Sequence, residues 1–231
     1  MSDRVFSYRV IRGIVGAIAL LLAAVTAWFS ETLLDSVSAA YHTGGRDAFV
    51  GALFITAAFL AAYQGHPLAR HEYWTAKVAA LLCLAIAIFP TSDCPMSACT
   101  VPGYLGMTLL TTGMVHLISA ALFFAALIVF MFSFAHRAWH LEARPCGALF
   151  YGVCGSVMVL AFIAYAIAKI LNLDLRTYGP LFHAEHIALS AFGLGWIYSG
   201  LYRWVESRLG LPRCPRWLAN LHVARTGVTG T

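Results

Sequence analysis

Charge is what this sequence has least of. Only 11% of its 231 residues are Asp, Glu, Lys or Arg, and ten are acidic. A soluble globular domain carries about 25% charged residues, so this chain has too few to solvate a domain-sized surface. Several motifs are missing too. The six cysteines include no CxxC pair, which argues against a thiolate zinc site. There is no Walker loop and no GxGxxG followed by a βαβ unit, so nothing marks a phosphate cradle. Sustained apolar and polar alternation is absent, which speaks against a transmembrane β-barrel.

What is present is hydrophobicity: 61% of residues are apolar and the mean hydropathy is +0.77. Six segments, 11–29, 47–64, 74–90, 106–134, 147–170 and 184–204, approach or exceed the roughly 20 residues that cross about 30 Å of hydrocarbon as a helix. In lipid a backbone must satisfy its own hydrogen bonds, and helices do so segment by segment. The expected fold is all-α: one polytopic domain, a bundle of six transmembrane helices with an outer amphipathic segment at 30–43. Arg4, Arg9 and Arg12 precede the first run as in a signal peptide, but no small-x-small cleavage site leads into a soluble mature domain. That run is therefore read as a membrane helix.

Basic residues set the expected orientation. With the N-terminus inside, only Arg46, Lys169 and Arg176 of the fifteen Lys and Arg lie outside, a strong positive-inside bias. Both termini are expected in the cytoplasm of a bacterial inner membrane. The net charge of +5 reflects this bias and contact with anionic lipid. With no soluble basic domain, nucleic acid is not an expected partner. The bilayer, and a lipid or small-molecule ligand, are.

The acid, base and ligand candidates collect on the outer side. Glu31, Asp35, Ser38 and His42 recur at i, i+4, i+7 and i+11, which on an α-helix confines them to about 60° of arc. Leu33, Leu34, Val37, Ala40 and Tyr41 fall opposite. Arg46 and Asp47 open the second helix after a glycine pair, where Asp47 complements the helix dipole or joins the pocket. On the fourth helix Thr108, Thr112, His116 and Ser119 share a face expected to turn inward. His116 is either a functional group or a neutral imidazole bonded to Thr112 or a neighbouring carbonyl. On the sixth, His183, His186, Ser190 and Gly193 share a face. Glu185 points away from it, to pair with Lys169 or Arg176 or to sit at the helix N-terminus.

His183-x-x-His186 offers two imidazoles on one helix surface. Adding His42 or His116 gives three ligands and an open position, which suits a hydrolytic zinc, with Asp35 or Asp47 accepting the proton of its water. The plainer reading places both histidines at the membrane interface. Cys94 and Cys99 sit in an outer loop, where they form a disulfide or stay as two thiols. Cys83 and Cys154 read as packing residues, and Cys146 and Cys214 lie near the cytoplasm. The histidines among the arginines, including His71, His136, His140 and His222, read as interfacial.

Ser38-x-x-x-His42, the acid at Asp47 and the histidine pair on the last helix resemble the CREST superfamily of membrane hydrolases, which includes alkaline ceramidases and adiponectin-receptor-like proteins. The resemblance implies a zinc held by His42, His183 and His186, assisted by Ser38 and Asp47. The sequence departs from that pattern in showing six helices instead of seven and HxxH instead of HxxxH. As a whole it resembles uncharacterised six-helix membrane proteins of bacteria, through Ser38 to Tyr63 and Phe192-Gly193-Leu194-Gly195-Trp196. Three functions follow as expectations: a metal-dependent hydrolase of a lipid or amide with an outer polar pocket containing Glu31, Arg46 and Glu185, a proton-coupled transporter or solute-binding protein, and a structural or accessory subunit.

Overall fold

A computed structural model of the chain describes residues 8–92, 109–173, 178–209 and 223–224. Among them are six long α-helices: α1 (Tyr8–Phe29), α2 (Arg46–Ala62), α3 (Arg70–Ile88), α4 (Leu109–His140), α5 (Pro145–Ile170) and α6 (Pro180–Leu209). Helices α1, α3, α4 and α5 are long and apolar enough to cross a membrane. Each helix packs against its neighbours in sequence, and α6 closes the ring by packing along α1. That closure is tight because glycine meets glycine. A Cβ on Gly16 would stand 2.8 Å from the Gly193 carbonyl oxygen, and one on Gly193 would stand 2.7 Å from that of Gly16.

Local sequence explains the helix ends. Pro90 holds Phe89 in an extended conformation and stops α3. Pro145 and Pro180 begin α5 and α6, where the missing N–H costs no helical bond. Helices α3, α4 and α6 overrun the apolar windows expected from sequence. Their added turns carry polar residues such as Glu72 and Arg137, and these are satisfied inside the bundle.

The segment 30–43 departs from the expected amphipathic α-helix. Residues 30–36 are irregular, and only Val37–His42 form a helix, of the 3-10 type, capped by the Ser36 hydroxyl on the Ala39 N–H at 3.1 Å. The reason lies in α6. Its leading N–H groups have no partners within their own helix. Gly179 N–H donates to Leu34 O and Phe182 N–H to Asp35 O, both at 3.0 Å, and these bonds hold residues 34 and 35 in a non-helical form against α6. The segment forms a strap laced to α6. At its other end Ser30 and Thr43 join hydroxyls at 2.7 Å and tie it back to α1.

Candidate functional site

The bundle has two polar layers. Along the buried face of α6 come Glu185, Leu189, Phe192, Trp196 and Ser199, about 21 Å from first to last at 1.5 Å per residue. Glu185 belongs to one layer and Ser199 to the other. Between them Trp196 packs against Phe192, Phe130 and Phe134 with ring centroids 5.1–5.5 Å apart.

The first layer is a pocket. A cavity of about 40 Å³ is lined by Ser38 of the strap, His116 of α4 and Glu185 of α6, with Phe49, Ile86 and Phe123 among its apolar walls. A void of this size, mostly apolar but with three polar side chains on its wall, has room for one water. Glu185 is buried and its carboxylate accepts the Val37 N–H at 2.6 Å. This bond reciprocates the one from Phe182 N–H to Asp35 O, so strap and α6 each supply what the other lacks. Ser38 is buried, with its hydroxyl 3.1 Å from that of Ser36.

Two imidazoles fill the end of α3. His116 Nδ1 lies 2.7 Å from Phe89 O, and His42 Nε2 lies 2.7 Å from Thr91 O, on either side of Pro90. A carbonyl only accepts, so Nδ1 of His116 carries a proton and Nε2 is the basic nitrogen of the neutral ring. The same logic makes Nδ1 the basic nitrogen of His42. Thr112 and Ser119 are buried on the His116 face of α4, as expected.

The structure therefore brings together Ser38, His116 and Glu185, and corrects the rest of the expected stripe. Because residues 31 and 35 are not helical, Glu31 and Asp35 share no helical face with Ser38, and both are exposed. Asp47 is exposed in the first turn of α2, and exposed Arg46 lies over the Tyr41 ring at 4.8 Å. His183 and His186 are half-buried against the aromatic cluster Tyr178 and Phe182. Their face continues through Ser190 to Gly193, which packs on α1. Glu185 turns inward to Val37 N–H in the second turn of α6; of the alternatives the sequence offered, a pairing with Lys169 or Arg176 or a place at the helix N-terminus, Arg176 lies outside the described residues.

Among the described residues no three His, Cys, Asp or Glu side chains converge as a ligand set for the implied zinc. No step below is routed through a metal.

The second layer escaped the sequence reading. Glu72 is fully buried and paired with Arg137. It also accepts from Tyr63 at 3.1 Å and Ser133 at 3.2 Å. Arg12 reaches Tyr63 and the Ser199 carbonyl, both at 3.0 Å. Arg137 and Arg144 share Glu142 at 3.0 and 3.1 Å. His71, expected at the interface, bonds Ser133 at 2.6 Å. The available signal was a carboxylate and a guanidinium at the edges of spanning segments, where each needs a partner. Cys83 and Cys154 are free and buried, as expected of packing residues. Cys146, at the start of α5, is disulfide-bonded. Cys94, Cys99, Thr108, Arg176, Cys214 and His222 lie outside the described residues.

Comparison with protein-family models, curated proteins and solved structures finds no match.

Proposed function

We propose that all six helices span the bilayer and that the pocket layer is the working end of a membrane hydrolase, cleaving an ester or amide in a membrane-borne substrate. Helix α2 has 17 residues and α6 has 30, about 25 and 45 Å, and both complete the ring formed by the four clearly apolar helices. Trp28 is 86% exposed at the pocket end of α1, and Trp74 is 57% exposed near the start of α3 at the opposite end, as in an aromatic belt at each interface. The positive-inside bias supports a cytoplasmic arginine layer. The Cys146 disulfide points the other way, since cytosolic cysteines are kept reduced. The distribution of fifteen basic residues outweighs one bond, and we assign Cys146 a reduced state in the cell.

The observation that carries the hydrolase reading is one buried cavity lined by a hydroxyl, an imidazole and a carboxylate. His116, its tautomer fixed by Phe89 O, accepts the proton of the attacking hydroxyl, either that of Ser38 or that of a water in the cavity. It then returns the proton to the leaving oxygen or nitrogen. The Glu185 carboxylate anchors the strap through Val37 N–H and favours the transient imidazolium. A transporter reading has less support, because the aromatic packing around Trp196 fills the space between the two polar layers.

The test is turnover of fluorogenic lipid esters and amides by liposome-reconstituted protein, beside fluorophosphonate labelling. Wild type turns over and His116→Ala loses about 100-fold or more, the scale of general-base catalysis. Label on Ser38 assigns the attack to that hydroxyl; turnover surviving in Ser38→Ala assigns it to water. Wild-type protein with neither turnover nor label would overturn the reading.

A further inference from the structure

A second cavity, of about 290 Å³, lies between α4, α5 and α6. Its walls include Ala120, Ala121, Phe124 and Ile128 of α4, Tyr165 of α5 and Glu185 of α6. Ala120, Phe124 and Glu185 also line the pocket cavity, so the two spaces share a wall. The groove is open sideways, because Leu117 is 62% exposed at its rim and Ala121 and Ala125 are exposed along it.

Its length and direction identify an occupant. From Leu117 to Ile128 the groove follows α4 for roughly 16 Å, about half of a 30 Å hydrocarbon layer and so the depth of one leaflet. Helix α4 runs from the pocket layer at His116 towards Arg137 in the second layer. The carboxylate end of the groove thus faces the interface, and the Ile128 end reaches the middle of the bilayer. A lipid lies the same way in its leaflet, polar end outward and chain inward. A groove of similar volume between α1 and α2 is lined only by Ile14, Leu21, Ala48 and other apolar residues. It has no polar end.

We infer that the α4–α5–α6 groove holds one acyl chain of a lipid from the pocket-side leaflet, entering laterally, with its ester or amide group brought to the adjoining cavity. This names the substrate class for the hydrolase reading and rests on it. Glu185, an acceptor, is then a positioning residue for an amide N–H or hydroxyl at the substrate's polar end, and Ala120, Ala121 and Ala125 are the small residues that keep the furrow open.

Protein reconstituted in phosphatidylcholine vesicles containing a trace of diazirine-tagged acyl chain is irradiated, and the labelled peptides are mapped. The expected result is labelling at 117–128 and 162–165 several-fold above that at 14–25 and 48–52. Ala121→Trp and Ala125→Leu, both lipid-facing changes, should remove the excess without altering the gel-filtration profile. Equal labelling of the two grooves, or an excess that survives both substitutions, overturns the inference. Ser38→Ala and His116→Ala should keep the excess, so labelling without turnover in the wild type would sink the hydrolase reading and leave the groove assignment standing.

Discussion

Individual side chains in the pocket do two jobs that substitution can separate. Glu185 both satisfies Val37 N–H and lines the cavity it shares with His116. Glu185→Gln keeps an acceptor for the amide, whereas Glu185→Ala leaves a buried N–H with none. The expected loss for Ala is about 1–3 kcal/mol, with Gln near wild type, measured as melting temperature in detergent. Turnover should fall in both. The opposite layer responds differently. Glu72→Ala strands Arg137, Tyr63 and Ser133 at a fully buried position, so a loss of about 3–5 kcal/mol is expected. Glu72→Leu combined with Arg137→Met should recover much of it, as replacement of a buried ion pair by packed apolar groups often does; a double variant no more stable than Glu72→Ala would contradict this. At the same scale, dialysis against EDTA should leave turnover unchanged, while a rate lost to chelator and restored by zinc would return the histidines to a ligand role.

At the level of elements, the α1–α6 seam depends on two missing side chains. Gly16→Val or Gly193→Val should each cost about 1–3 kcal/mol or more by overpacking, read as lower thermal stability, while Gly13→Val should be neutral because nothing stands within 4 Å of a Cβ there. Seams, caps and spans were unevenly legible in the sequence. The apolar runs marked where helices lie, since burial in lipid demands length and composition that anyone can count. The strap was misjudged because Glu31, Asp35, Ser38 and His42 fit a helical period, while what holds the backbone is the bonding of the Leu34 and Asp35 carbonyls to residues 179 and 182. No local pattern contains those partners. His116 stood out because an imidazole inside a spanning helix needs a partner, yet its convergence with Ser38 and Glu185 is a product of ring closure. The inward turn of Glu185 was hidden for the same reason, its partner being an amide 148 positions away.

For the molecule as a whole, the ring sets two polar layers apart with an aromatic and aliphatic filling between them. One layer is built for cohesion, with compensating charges drawn from α1, α3, α4 and the turn before α5. The other leaves a cavity. Assignment of sides makes a testable statement: a membrane-impermeant thiol reagent added to intact cells should fail to reach Cys146, even with an external reductant, and should reach it in inverted vesicles. Labelling at Cys146 itself in intact cells, mapped apart from Cys94 and Cys99, would place the arginine layer outside and reverse the topology.

The lacing of the strap to α6 also has a consequence in time. During synthesis Ser38 leaves the ribosome early, but Val37 cannot meet Glu185, nor Asp35 meet Phe182, until the last helix has been made. The pocket layer is therefore the final part of the molecule to be assembled, and a nascent or truncated chain ending before α6 carries the strap without the partners that shape it. Such a chain carries its apolar helices without the contacts from α6 that close the pocket layer.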